Sequence, residues 1–302
     1  MDISRLSALR ELALRKTMAA VAEALHLSPS AVSQQIAILE QEVGIDLVER
    51  RGRGVELTIA GRMLVERANR IFTELESARA DMAELKKVVA GELRVAAFPS
   101  VAAALIPGTI RTLRIEHPQL TVLFEEMEPE EGMNALRSWQ TDVALIDDLN
   151  VPPGLLDPTI ELTPLIEDVF NVMMCPNHRL AQKDEVTWED LKGEYWAVDT
   201  ASVTYTRMLT DACQNSGYVP NIIARCKGLE VTSALILEGC AISIFPGLRA
   251  RFELKDAKMC RLVPEIRRKI SVAYRKGEKK SPALRAFVQC IQAQAAGFDH
   301  TI

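Results

Sequence analysis

Histidine is scarce in this chain of 302 residues, which holds only four, and aromatic residues make up 5% of it. No spacing of His, Cys, Asp or Glu resembles a metal-ligand set, so no metal is expected. Catalytic signatures are missing too. There is no G-x-S-x-G elbow, no phosphate-binding P-loop and no G-x-G-x-x-G after a strand-like run. The six cysteines, Cys175, Cys213, Cys226, Cys240, Cys260 and Cys290, form no C-x-x-C pair. Thiols scattered in this way suit a reducing cytosol, and Cys213 with Cys226 stays open as a redox pair. No run approaches the ~20 apolar residues of a membrane span. The opening MDISRLSALR is charged throughout, unlike a signal peptide. These absences point to a cytoplasmic protein with no membrane contact, no cofactor and no catalytic role. The net charge of -5 disfavours a wholly basic nucleic-acid binder but leaves room for a local basic patch.

What is present falls into three zones. In the first, residues 1–58, Leu6, Leu9, Leu12 and Ala13 share a helical face. Thr17 suits the cap of a second helix carrying Val21, Ala22 and Leu25. Ser28 followed by Pro29 is a favoured helix start. The helix that follows turns Ala31, Val32, Ile36 and Leu39 inward and presents Ser30, Ser33, Gln34 and Gln35 on its other side. Two helices joined by so short a turn make a helix-turn-helix. A merely solvated face carries Glu and Lys more often than amides and hydroxyls. Glutamine pairs with adenine edges, and serine with phosphates or several bases. Arg50, Arg51 and Arg53 around Gly52 and Gly54 then read as a wing, suited to phosphate or minor-groove contact.

Thr58 is positioned to cap a long helix over the second zone, 59–90. There Leu64, Ala68, Ile71, Leu75, Ala78, Met82, Leu85 and Val89 repeat at heptad spacing, ending at Gly91. A stripe this regular predicts a seam between two copies. In the third zone, 91–302, strand-like runs alternate with helical ones. Strands are expected at Leu93–Phe98, Leu120–Glu125, Asp142–Ile146, Phe170–Cys175, Tyr195–Val198, Ile222–Arg225, Ala241–Phe245 and Ile270–Tyr274. The pattern predicts an α/β fold of mainly parallel sheets in two subdomains.

The segment TMAAVAEALHLSPSAVSQQIAILEQEVGIDLVERRGRGVELTIAGRMLVERA resembles the DNA-binding domain of the LysR-type transcriptional regulators. GELRVAAFPS, LIPGTIRTLRIEHPQLTV, DVALIDD and LEGCAISIFP are similar to stations in that family's effector domain. The resemblance implies an N-terminal all-α winged helix-turn-helix, a linker helix that pairs two chains, and a two-lobed α/β effector domain like a periplasmic binding protein. One lobe would hold about 92–163 and 269–302, the other about 164–268. It also implies a double-stranded DNA operator, a small-molecule effector, a homotetramer built on linker-helix dimers, and RNA polymerase as a further partner. Two positions depart from the family. Ala37 and Ile38 follow Ile36 where many members carry a basic residue, which shifts weight to Arg50, Arg51 and Arg53. Val48 replaces the usual phenylalanine before the wing.

The expected DNA contacts are therefore Thr17, Ser28, Ser30, Ser33, Gln34, Gln35, Arg50, Arg51, Arg53 and Thr58. Ligands in open α/β sheets lie beyond the carboxyl ends of the strands. That rule selects Phe98, Ser100, Val101, Asp147, Thr200, Ser202, Thr204, Glu230 and Pro246 as effector contacts. Ser100, Ser202 and Thr204 begin helices where backbone N–H groups suit a carboxylate, although capping alone also explains their hydroxyls. The loops hold several acids and little base, so a small organic acid or an amino acid fits better than a multiply charged anion, with Asp147 or Glu230 available to an amino group. An enzyme with an appended DNA-binding domain is the rival reading, as is an architectural DNA binder. The missing catalytic motifs disfavour the first, and some 200 residues of α/β domain the second.

The heptad seam has a direct test. Ile71→Asp puts an unpaired charge into it, so light scattering of this variant should show the chain dissociated. An intact oligomer would remove the seam as the pairing surface.

Overall fold

The computed structural model describes residues 1–25, 27–51, 54–85, 88–151, 159–200, 203–249 and 256–298. The first domain opens with α1 (Ile3–Arg15), α2 (Met18–Ala24) and α3 (Pro29–Val43). Each start is capped by a side chain. Asp2 accepts from Ser4 N, Thr17 from Ala20 N and Ser28 from Ala31 N. Gly44 closes α3 at a φ of 72°, the left-handed conformation that glycine tolerates. The antiparallel pair β1 (Val48–Arg51) and β2 (Gly54–Leu57) forms the wing. Leu6, Leu9, Leu12, Val21, Val32, Ile36, Leu39 and Leu47 make one buried core.

The linker helix α4 spans Ile59–Leu85, 27 residues or about 40 Å at the usual rise. Thr58 caps it, accepting from Gly61 N at 3.0 Å while donating to the Asp46 carbonyl at 2.8 Å. The expected helix ran on to residue 90, but 88–90 are not helical. Val89 packs instead against the next domain's core, and Gly91 begins a strand at φ +99°. The ends of the heptad stripe are absorbed by the chain itself. Ala68 is fully buried and Leu64 half-buried in the first domain's core. Its centre stays open, with Ile71 42% and Leu85 73% exposed and Met82 exposed between them.

The remainder contains β3 (Gly91–Ala97), α5 (Pro99–Glu116), β4 (Leu120–Glu126), α6 (Pro129–Arg137), β5 (Val143–Asp147), β6 (Ile160–Met174), β7 (Glu185–Thr187), β8 (Tyr195–Asp199), α7 (Val203–Asn215), β9 (Asn221–Cys226), α8 (Leu229–Leu237), β10 (Ser243–Pro246), β11 (Lys258–Arg275) and α9 (Pro282–Ala296). The main sheet runs β10-β6-β11-β5-β3-β4, with β7 also on β11. A separate parallel pair, β8–β9, is tied to the segment before β10 by a bridge from Trp196 to Ile242.

The expectation of mainly parallel sheets needs correction. β3 pairs in parallel with β4 and β5, but β6, β10 and β11 pair antiparallel. The reason lies in two long strands that connect two lobes. The C-terminal part of β11 packs Ile270, Val272 and Tyr274 into a first core with Leu93, Val95, Leu105 and Phe287. Its N-terminal part places Cys260 and Leu262 in a second core with Val172, Trp188, Trp196 and Leu209. β6 crosses in the opposite sense, giving Leu165 and Ile166 to the first core and Val172 and Met174 to the second. The sequence reading recovered only Phe170–Cys175 and Ile270–Tyr274 of these strands. Pro164, Pro264 and the charged run Glu265 to Lys269 break the alternation elsewhere. Among the described residues no helix is long and apolar enough to cross a membrane.

Candidate functional site

The exposed face of α3 follows from helix geometry. Ser30, Ser33 and Gln34 are spaced three and four apart, so they lie on one side, and all three are exposed together with Ser28. Ser28 Oγ also lies 2.9 Å from Ser30 Oγ. Gln35 sits at the edge of this face, half-buried, with its carbonyl oxygen enclosed and unbonded. Thr17 is exposed at the start of α2, whereas the Thr58 hydroxyl is committed to capping. Arg50 and Arg51 lie on β1; Arg53 is outside the described residues.

The second group lies where the carboxyl ends of β3, β4, β5 and β8 meet. Its centre is Arg268, a residue that the sequence reading missed. It belongs to β11 at the crossing between the lobes, opposite Asp168 of β6, and its side chain is 0% exposed. Nε and Nη2 donate to Asp168 Oδ2 at 2.9 and 2.6 Å, and Nη1 reaches Asp147 Oδ2 at 3.5 Å. Nη2 donates to Ser100 Oγ at 2.7 Å, and Nη1 to the Tyr205 hydroxyl. The rings of Phe98, Phe170 and Tyr205 surround the guanidinium, their centroids 5.0, 5.1 and 5.7 Å from Cζ. Ser100 starts α5 in the first lobe and Tyr205 lies in α7 of the second. One cation thus bridges the two lobes.

The expected contacts distribute around this arginine. Phe98, Ser100 and Asp147 are brought together on it. Asp147 additionally accepts from Asn150 N and Nδ2, each at 2.8 Å. Val101 is fully buried in the first lobe's core, and Pro246 is buried at the end of β10. Thr200 donates its hydroxyl to the Cys226 carbonyl at 3.0 Å. Thr204 is half-buried in α7 and Glu230 exposed in the first turn of α8; Ser202 lies outside the described residues. The missed signal was the register of Glu167-Asp168 against Arg267-Arg268. Arg267 ends on the surface paired with Glu167 and Glu265, while its neighbour turns inward.

Glu128, at the start of α6, adds a further acid. Burial, followed by the charges of Asp199 and Asp147, pushes its carboxyl up to about 7. Asp199 belongs to β8 of the second lobe, so this repulsion acts across the cleft.

A third cluster joins the domains. Arg275, at the end of β11 and 2% exposed, donates to Glu76 of the linker helix, to the Leu136 and Thr141 carbonyls at 2.8 and 2.7 Å, to Asp142 Oδ1 at 3.1 Å and to Glu278 Oε1 at 2.7 Å. Trp139 follows α6 at φ +60°, an uncommon conformation for a bulky side chain. Its ring lies 5.0 Å from Arg275 Cζ and 3.1 Å from the Cζ of Arg10 in α1. Phe72 of the linker touches both Arg10 and Trp139. Lys280–Asp81 and Arg285–Glu84 extend the docking of α4 onto the first lobe. A side chain at Gly277 would come within 2.5 Å of the Thr73 carbonyl, so this approach requires glycine.

Comparison with known proteins agrees along the whole length. The profile described as "Bacterial regulatory helix-turn-helix protein, lysR family" matches residues 3–62, and "LysR substrate binding domain" matches 86–296. The uncharacterized HTH-type regulator YfeR of Shigella flexneri is 25% identical over 97% of this chain and 94% of its own. A hydrogen peroxide-inducible genes activator of Pectobacterium carotovorum is 25% identical over 100% and 99%. Among solved structures, a full-length OxyR variant from Pseudomonas aeruginosa superposes with a TM-score of 0.69 at 21% identity, covering 97% of this chain and 95% of its own. Full-length CbnR in complex with its target DNA gives 0.55 at 26%, covering 98% and 100%.

The cleft carboxylate sets a pH dependence. A carboxyl raised in the folded state contributes stability at low pH that is lost as pH rises through its folded value. The window runs from the usual glutamate value up to about 7, so Glu128→Gln should leave the melting temperature nearly unchanged at pH 4, raise it somewhat at pH 5.5 and raise it most at pH 8.5. Equal effects at all three pH values would show that Glu128 does not titrate against Asp147 and Asp199.

Proposed function

The chain belongs to the LysR family of bacterial helix-turn-helix regulators, and from that premise we propose that it reads a DNA operator through α3 and the wing and responds to a small effector held between its two lobes. It is a transcription regulator and not an enzyme. The observation that carries the reading is the exposed, uncharged hydrogen-bonding face of Ser28, Ser30, Ser33 and Gln34. Gln34 and Ser33 enter the major groove with Gln35 at its edge. Ser28, Ser30 and Thr17 approach phosphates, and Arg50, Arg51 and Arg53 extend along the backbone or into the minor groove.

Two chains pair through the open centre of the linker stripe, so that two recognition helices address two half-sites. Two such pairs make a homotetramer, which works in the cytoplasm and engages RNA polymerase. The effector is a small organic acid or an amino acid. Support for the amino acid comes from Asp147 and Glu128, which offer an ammonium group counter-charge, while the start of α7, with Thr204, suits a carboxylate. Thr200, Glu230 and Pro246 rim the same opening. Ligand binding at Ser100 and Arg268 changes the angle between the lobes and so the spacing of the DNA-binding domains. The peroxide-linked names of several relatives favour a second reading, oxidation of a thiol; Cys240 is exposed and Cys175 partly so, the other four being buried.

A footprint titration tests the reading face. Gln34→Ala should cost about 1–3 kcal/mol on the operator and relax base preference, whereas Arg53→Ala should weaken all sequences alike and flatten the salt dependence. Unchanged affinity and preference in Gln34→Ala would refute α3 as the reader.

A further inference from the structure

The recognition helix α3 carries no Lys or Arg, and its acids, Glu40 and Glu42, are held by partners within the chain. Glu40 Oε1 accepts from the backbone N–H of Leu47 at 2.8 Å and of Val48 at 3.1 Å, which ties it to the start of the wing. Glu42 pairs with Arg5 of α1. The side chains that α3 leaves free to meet DNA bear no charge. They are Ser30, Ser33, Gln34, Ala37 and Gln41, all exposed. The first four stand at i, i+3, i+4 and i+7, the spacing by which a recognition helix presents side chains to the floor of a major groove. Ala37 is the one apolar side chain among them. A basic residue at this position would extend to a phosphate, whereas a methyl group touches only what the helix backbone itself approaches. In a major groove that is a base edge, and the apolar group displayed there is the C5-methyl of thymine.

We propose that Ala37 is a specificity-determining residue, its methyl group packed on the C5-methyl of a thymine next to the adenine that Gln34 reads, so that α3 selects two adjacent A·T pairs in each half-site. The contact rests on the reading of α3 as the operator-binding helix. Ala37 lies three residues beyond Gln34, about 4.5 Å along the helix axis, against about 3.4 Å between base pairs. The two side chains therefore address neighbouring pairs. Arginine and lysine, the usual partners of guanine, are missing from the helix. Charge for the DNA backbone comes instead from the wing, where β1 carries Arg50 and Arg51. Base choice and salt dependence are thereby divided between two elements.

The probe is a duplex selected by the full-length chain from a random pool. Each thymine of a half-site is replaced in turn by uracil, which lacks only the methyl group, and binding is read by fluorescence anisotropy. One such replacement should weaken wild-type binding roughly fourfold, the worth of one buried methyl group. The same replacement should change nothing in Ala37→Gly, whereas Gln34→Ala should remain sensitive to it. Ala37→Gln, a better helix former than glycine, should shift the selected base at that position from thymine to adenine. Sensitivity to uracil retained in Ala37→Gly, or full thymine preference in Ala37→Gln, would overturn the contact. So would wild-type binding indifferent to every replacement. In that case a Gln34→Ala variant with relaxed base preference keeps α3 as the reader and removes Ala37 alone, while an unchanged Gln34→Ala removes the reading face as well.

Discussion

The Arg275 guanidinium is the contact on which the arrangement of the three parts depends. It lies at the end of β11, and its donors reach the linker helix at Glu76, the carbonyls of Leu136 and Thr141 behind α6, and the carboxylates of Asp142 and Glu278. Arginine suits this place because its planar fork serves several acceptors at once while retaining charge under burial. The two carbonyls fix the segment carrying Trp139, and Trp139 in turn receives Arg10 from the DNA-binding domain. Removing one such partner from a buried charged network costs about 3–5 kcal/mol, because the remaining charges stay buried and unpaired.

The same strand carries the second buried arginine. Arg268 lies at the crossing between the lobes, and Arg275 seven residues further on at the linker, a separation of about 23 Å at the usual strand rise. Both are enclosed, both face more carboxylate than they neutralise, and both touch aromatic rings. β6 and β11 cross between the lobes where Arg268 meets Asp168, Ser100 and Tyr205. The far end of β11 is anchored to the linker. One strand therefore runs from the crossing between the lobes to the linker helix, with a buried ion-pair cluster at each end.

What was legible in the sequence was local. The Ser28-Pro29 start, the apolar positions Val32, Ile36 and Leu39 and the polar face between them are settled within one helix, so pattern alone finds them. Phe98, Ser100 and Asp147 were read as neighbours, and they are, because the carboxyl ends of strands converge in any such sheet. Arg268 and Arg275 were not found, because a cation within Glu265–Arg268 or beside Lys276 reads as solvated surface. Only the pairing of β11 with β6 and β5 turns them inward, and Pro164 and Pro264 conceal that pairing. The linker helix was read as running on to residue 90, whereas 88–90 are not helical, because Val89 fits a heptad as well as it fits the first lobe's core. Thr58 fits a DNA contact by residue type, yet its hydroxyl closes the helix start.

The union of the DNA-binding domain with the effector domain through Arg10 and Trp139 is the central claim, and a double-mutant cycle tests it most directly. Chemical denaturation of the parent, Arg10→Ala, Trp139→Ala and the double variant yields their coupling. A desolvated guanidinium stacked on an indole predicts a coupling of about 2 kcal/mol. Effects that add to within about 0.5 kcal/mol would contradict the account, since the two domains would then be neighbours without being joined.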